Sequence, residues 1–127
     1  MPKDVRGVRI GQHCAQLHML QAGCQDADGT PVGRYVLHYA DGETRELPII
    51  YGQDIRNWWT VRGESTNTPN AQVVWRGNCP MAASNGESLR LWKRTYSNPW
   101  PDVRIVGLDF VSAMNKSAPF LVALTIE

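Results

Sequence analysis

A chain of 127 residues, 43% of them apolar and 20% charged, has the make-up of one ordinary globular domain, which on folding hides roughly two-thirds of its unfolded surface. Thirteen basic against twelve acidic residues leave a formal charge of +1, too weak a field to recruit nucleic acid or an anionic membrane. No apolar run reaches the length of a membrane span, and the start Met1-Pro2-Lys3-Asp4 lacks the hydrophobic stretch of a signal peptide. The chain reads as one soluble domain over residues 1–127, an appearance that an excised domain would share.

The first two β-rich runs are Val5 to Ile10 and Ala15 to Gln21. Cys14, Cys24 and Cys79 are odd in number and at no zinc-site spacing, so metal is not expected. Buried free thiols are the plain reading, with a Cys14–Cys24 or Cys24–Cys79 disulfide as the alternative. The strongest local signal is Val32 to Ala40, then Asp41-Gly42, then Glu43 to Tyr51, because two strand-like runs around Asp-Gly predict a hairpin with a two-residue type I′ turn. That register sets His38 opposite Arg45 and Val36 opposite Leu47, with Pro48 forcing an edge or a bulge. Asp54 to Trp59 is the one candidate helical turn, with Asp54 as its cap. Gln72 to Arg76, Ser88 to Tyr96, Val103 to Ser112 and Phe120 to Ile126 complete a set of about eight strands, the last apolar enough for a central position. The connections Val61 to Asn70 and Cys79 to Glu87 read as surface loops. Many short strands with almost no helix predict an all-β antiparallel sandwich or barrel.

An ordered string of motifs narrows this. It runs Gly33-x-Tyr35-x-x-His38-Tyr39-Ala40-Asp41-Gly42, Pro48-Ile49, Tyr51-Gly52-x-Asp54-Ile55-x-x-Trp58-Trp59, Trp75-x-Gly77, Arg90-Leu91, Asn98-Pro99-x-Pro101-Asp102, Leu108-Asp109-Phe110-Val111-Ser112 and Pro119 to Thr125. From about Leu17 to Thr125 the chain resembles a galactose-binding-like jelly-roll module, often a C-terminal part of large bacterial envelope-associated and carbohydrate-active proteins. The resemblance implies a β-sandwich, no catalysis, an extracytoplasmic or cell-envelope setting and a parent multidomain chain. It supplies no agreed ligand.

A hydrolase needs a nucleophile or paired carboxylates beside a base, and Asp41, Asp54, Asp102 and Asp109 with His13, His18 and His38 form no diagnostic constellation. Each acid has a structural role instead: Asp41 in its turn, Asp54 as a cap, Asp102 in the Pro-rich turn, and Asp109 satisfying a buried Arg or a backbone amide. No cofactor is expected, and structural calcium lacks an Asp-x-Asp ligand cluster. Five Trp and four Tyr are the better lead, since the C–H faces of sugar rings stack on aromatic planes. Alternation places Arg90, Trp92 and Arg94 on one face of their strand and Leu89 and Leu91 on the other, a polar-aromatic face joined by His38. Trp58 and Trp59 cannot share a face, and with Trp100, held between two prolines, they line a loop edge. Trp75, alternating with Val73, is assigned to the core. The expected function is non-catalytic carbohydrate binding through these seven residues. The rival is a protein-interaction or self-assembly domain pairing through the Trp100 edge or an unfilled sheet edge.

Overall fold

The computed structural model describes residues 4–24, 26–59, 68–77, 80, 88–114 and 118–127. Eight strands follow in order: β1 (Asp4–Gln12), β2 (Gln16–Ala22), β3 (Pro31–Tyr39), β4 (Thr44–Ile50), β5 (Ala71–Gly77), β6 (Leu89–Ser97), β7 (Ile105–Ser112) and β8 (Phe120–Ile126). They form two four-stranded sheets, ordered β1-β7-β3-β4 and β5-β6-β2-β8, and every pairing within them is antiparallel. The protein is an all-β, two-sheet sandwich compatible with a jelly roll.

Period-two burial builds the core. Tyr35, Leu37 and Tyr39 of β3 point inward with Leu47 and Ile49 of β4 and Ile105, Leu108 and Phe110 of β7, and they meet Leu17 and Met19 of β2 and Tyr96 of β6. Tyr35 sits 5.7 Å from Tyr96 and 5.6 Å from Phe110 between ring centroids, the tilted contacts that aromatic quadrupoles favour. Its hydroxyl donates to Gln21 Oε1, and Gln21 Nε2 donates to the Asp54 carbonyl at 3.3 Å. Burial pushes both tyrosine hydroxyls far above their ordinary pKa. They therefore stay neutral in the core and impose no buried charge.

The β3–β4 hairpin forms with a register one residue away from the type I′ expectation. Leu37 faces Arg45, Val36 faces Glu46 and His38 faces Thr44. The Gly42 amide donates to the Tyr39 carbonyl at 3.0 Å, and Tyr39 in turn donates to the Glu43 carbonyl at 2.9 Å. Of the two turn residues, Gly42 alone is left-handed, with φ of 90°. This is a type I turn followed by a glycine bulge, a three-residue loop in place of a two-residue one. The extra residue turns Leu47 inward and releases His38 from Arg45.

Three further expectations change. β8 is an edge strand rather than a central one, and Val122 is 55% exposed. The candidate helix at Asp54 to Trp59 is a turn followed by isolated bridges. Asp54 does not cap forward: its Oδ2 accepts the amide of Ile50 at 2.7 Å, closing the turn at the end of β4. Cys14 and Cys24 are free thiols, but only Cys14 is buried. Burial raises the Cys14 thiol pKa, partly opposed by its contact with Asn98. Cys79 and most of the two expected long loops lie outside the described residues. No helix among the described residues is long and apolar enough to cross a membrane.

Candidate functional site

The seven expected site residues fall into four separate places. Trp58 and Trp59 stand at one end of the sandwich, where residues 56–59 run alongside the end of β2. Gly23 donates to the Arg56 carbonyl at 3.3 Å, Trp58 donates to Gly23 at 2.8 Å and Arg90 donates to Trp58 at 2.7 Å. Asn57 is tied by its amide to the Tyr51 hydroxyl at 3.0 Å, and its Oδ1 accepts the Trp59 amide at 3.2 Å. The indoles meet edge to face with centroids 6.0 Å apart, and Trp58 continues to Phe120 at 6.2 Å. Both tryptophans are half-buried. Backbone bonds thus hold a partly exposed aromatic pair in one geometry.

Arg90, Trp92 and Arg94 do share a face, but it is the inner one. Trp92 is 0% and Arg90 1% exposed, while Leu89 and Leu91 are the half-exposed residues on the outer side. Arg90 can be buried because its Nε donates to the Asn57 carbonyl at 2.9 Å and its guanidinium lies 4.6 Å from the Trp92 ring centre. Arg94 is neutralised by Asp54, with Nε 2.6 Å from Oδ1, and packs 4.0 Å from the Tyr96 ring. The expected solvated Arg-Trp-Arg face is therefore interior packing, because each guanidinium finds a distant partner and lays its apolar stem in the core.

His38 lies on the outer face of the other sheet. Its Nε2 is 2.7 Å from Asp109 Oδ2. Asp109 Oδ1 accepts the Gly7 amide at 2.8 Å, and Arg6 stands 3.4 Å away. Asp109 meets the expected backbone-amide role through Gly7, its Arg partner is the exposed Arg6 rather than a buried one, and it fastens the edge strand β1 to the sheet. Burial pushes its carboxyl up, but the hydrogen bonds from His38 and Gly7, with the charges of His38 and Arg6, pull it down further and leave its pKa below the ordinary value. A folded-state pKa below the unfolded one adds stability that is present above about pH 4 and is lost as the pH falls through the folded value. Asp109→Asn is expected to remove about 1–2 kcal/mol at neutral pH. Thermal melts from pH 7 to pH 3 should fall less steeply for the variant; parallel curves would show that Asp109 adds no such stability.

Trp100 sits at the opposite end from Trp58, separated by the seven residues of β2, roughly 20 Å. It is not the free aromatic expected of a rigid turn. Its ring packs 5.2 Å from Tyr39, beneath the Arg45 guanidinium at 3.9 Å, and it joins the edge of the core.

Trp75, expected in the core, is instead 47% exposed. A bulge between Val73 and Trp75 breaks the alternation of β5, so Val73 faces Trp92 while Trp75 pairs with the outward Leu91. A Cβ built on Gly77 would lie 2.0 Å from Trp75 Cη2, 2.5 Å from Cζ2 and 2.7 Å from Cζ3. The indole therefore lies over the Gly77 backbone in space that any side chain would occupy. The signal in the sequence was the Gly two residues after the Trp.

No group of three or more acidic, His or Cys side chains able to hold a metal occurs among the described residues. No family model, curated protein or solved structure matches the chain.

Proposed function

We propose that this protein is a non-catalytic carbohydrate-binding domain of the galactose-binding-like kind, engaging a glycan at the Trp58–Trp59 end of the sandwich. The observation that carries the reading is the half-exposed, edge-to-face tryptophan pair, anchored by backbone bonds to Gly23 and Arg90. Rings held in advance lose little freedom on binding, which is how a small aromatic site gains affinity. The motif resemblance supports the same reading and brings with it an envelope setting and a larger parent chain. Of the other expected ligand residues, Arg90 and Trp92 act behind the pair, Arg90 bonding the Asn57 carbonyl and covering the Trp92 ring.

A second reading, self-assembly, has its own support. Between the edge strands β1 and β8 the sandwich opens into an apolar cleft of about 220 Å³, lined by Val5, Val8, Leu108, Phe110, Phe120 and neighbouring side chains. The assembly surface on this reading is that cleft rather than Trp100.

Screening the pure domain on a glycan array, followed by calorimetry on the hits, tests the first reading. The variant Trp58→Ala/Trp59→Ala should lose at least tenfold in affinity, about 1.4 kcal/mol, while keeping a cooperative melt. A domain that binds no glycan, or a double variant that binds as well as the parent, refutes it. Concentration-dependent dimerisation abolished by Val8→Asp would favour assembly.

A further inference from the structure

The outer face of the β5-β6-β2-β8 sheet carries a second aromatic that lines up with the first. Gly77 pairs with Leu89 on one side of β6, and Trp59 bridges to Leu89 on the other. Residues directly opposed across a ladder project to the same face, so Trp59, Leu89 and the Trp75 indole over Gly77 form one row. Two strand separations set the ends of that row roughly 10 Å apart. The Gly77 Cβ position is nearer to Cζ2 and Cζ3 than a point 2.0 Å out from Cη2 in the ring plane would be, so it stands above the plane at the Cη2 edge of the ring. That edge of the indole rests over the backbone, and Trp75 remains 47% exposed.

Polar groups lie farther along the same face. Lys93 and Gln72 are opposed four residues along β6 from Leu89, roughly 13 Å from the row, and shallow depressions on either side of Lys93 reach His18, Thr125, Asn70 and Thr95. A flat ring on the sheet surface, in line with a second aromatic and with an ammonium, an amide and hydroxyls farther along the same face, suits a ligand that offers C–H faces to aromatic planes and hydroxyls to polar groups.

We infer that Trp75, seated on Gly77, is a second stacking platform collinear with Trp59, and that the pair receives two pyranose rings of one linear glycan laid across the strands. This inference rests on the glycan-binding reading and deepens it: Trp59 and Trp75 act as one bivalent surface, so affinity rises with chain length once an oligosaccharide spans both rings.

The test measures binding of the monosaccharide, tetrasaccharide and hexasaccharide of two β-1,4-linked series, glucan and galactan, by calorimetry and tryptophan fluorescence. Trp75→Ala should weaken the hexasaccharide at least tenfold and leave the monosaccharide within twofold. Gly77→Ala keeps the indole but pushes it off the backbone, and should reproduce the loss without altering the melt. Val106→Ala, on the opposite sheet and 45% exposed, should bind as the parent does. Hexasaccharide binding lost in Trp58→Ala/Trp59→Ala but unchanged in Trp75→Ala and Gly77→Ala overturns the inference and leaves the proposed function standing. No binding in either series by the parent overturns both. Self-association abolished by Trp75→Ala, with glycan affinity intact, would instead make the face a protein contact and overturn the inference.

Discussion

Trp92→Ala is expected to lower the unfolding free energy by about 3–5 kcal/mol, the usual cost of deleting a buried Trp or Phe. The indole is fully buried, faces Gln21 on β2 and Val73 on β5, and lies against the Arg90 guanidinium. Truncation leaves a void and strips Arg90 of its cation–π contact, while Arg90 keeps its bond to Asn57. Arg90 also donates its amide to Trp58, so the damage should reach the Trp58–Trp59 end. Trp92→Phe should cost far less. The Trp92 Nε1–H has no acceptor among the described residues, so exchanging indole for phenyl loses volume but no hydrogen bond and removes a buried polar atom. Urea unfolding of the two variants checks this, and a Trp92→Ala midpoint close to that of the parent would mean the ring is not core.

The same strand shows what the sequence conveys and what it hides. Strand positions follow from β-branched and aromatic runs bounded by Gly, Pro and Asn, and the expected Phe120 to Ile126 coincides with β8. Alternation also groups Arg90, Trp92 and Arg94 correctly. Which face is inner cannot be read from it, because charge argues for solvent only when no partner waits inside. Here Asp54 lies 40 residues from Arg94, and the Asn57 carbonyl lies 33 from Arg90. Loop length at Asp-Gly has the same character: one glycine with positive φ serves either a two-residue or a three-residue turn, and the inward packing of Leu47 decides between them. β8 reads as central because it is nearly all apolar, yet an edge strand over an open cleft can be equally apolar. Trp75 was hidden by a bulge, a one-residue insertion that leaves no mark in hydrophobic period.

The other large effect is expected at Asp54, which joins the two sheets. Its carboxylate accepts Ile50 N at the end of β4, Arg94 Nε from β6 at 2.6 Å, and Asn70 Nδ2 at 3.2 Å just before β5. Its own carbonyl accepts Gln21 from β2. At 2% exposure no water replaces those bonds. Asp54→Ala therefore strands an amide and a largely buried guanidinium together, and the loss should be about 3–5 kcal/mol, most of it the cost of leaving Arg94 without its counter-charge. Arg94→Met should cost less, since its removal leaves Asp54 bonded to Ile50 and Asn70. In the double variant Asp54→Ala/Arg94→Met no unpaired charge remains, so its destabilisation should fall short of the sum of the singles by more than about 1 kcal/mol. Additive losses in urea unfolding, or an Asp54→Ala variant within about 1 kcal/mol of the parent, would show that the pair is incidental to the fold. Asp54→Ala keeps the backbone carbonyl to which Gln21 donates, so the damage should centre on the partners of the carboxylate, and hydrogen exchange should speed up in β4 and β6.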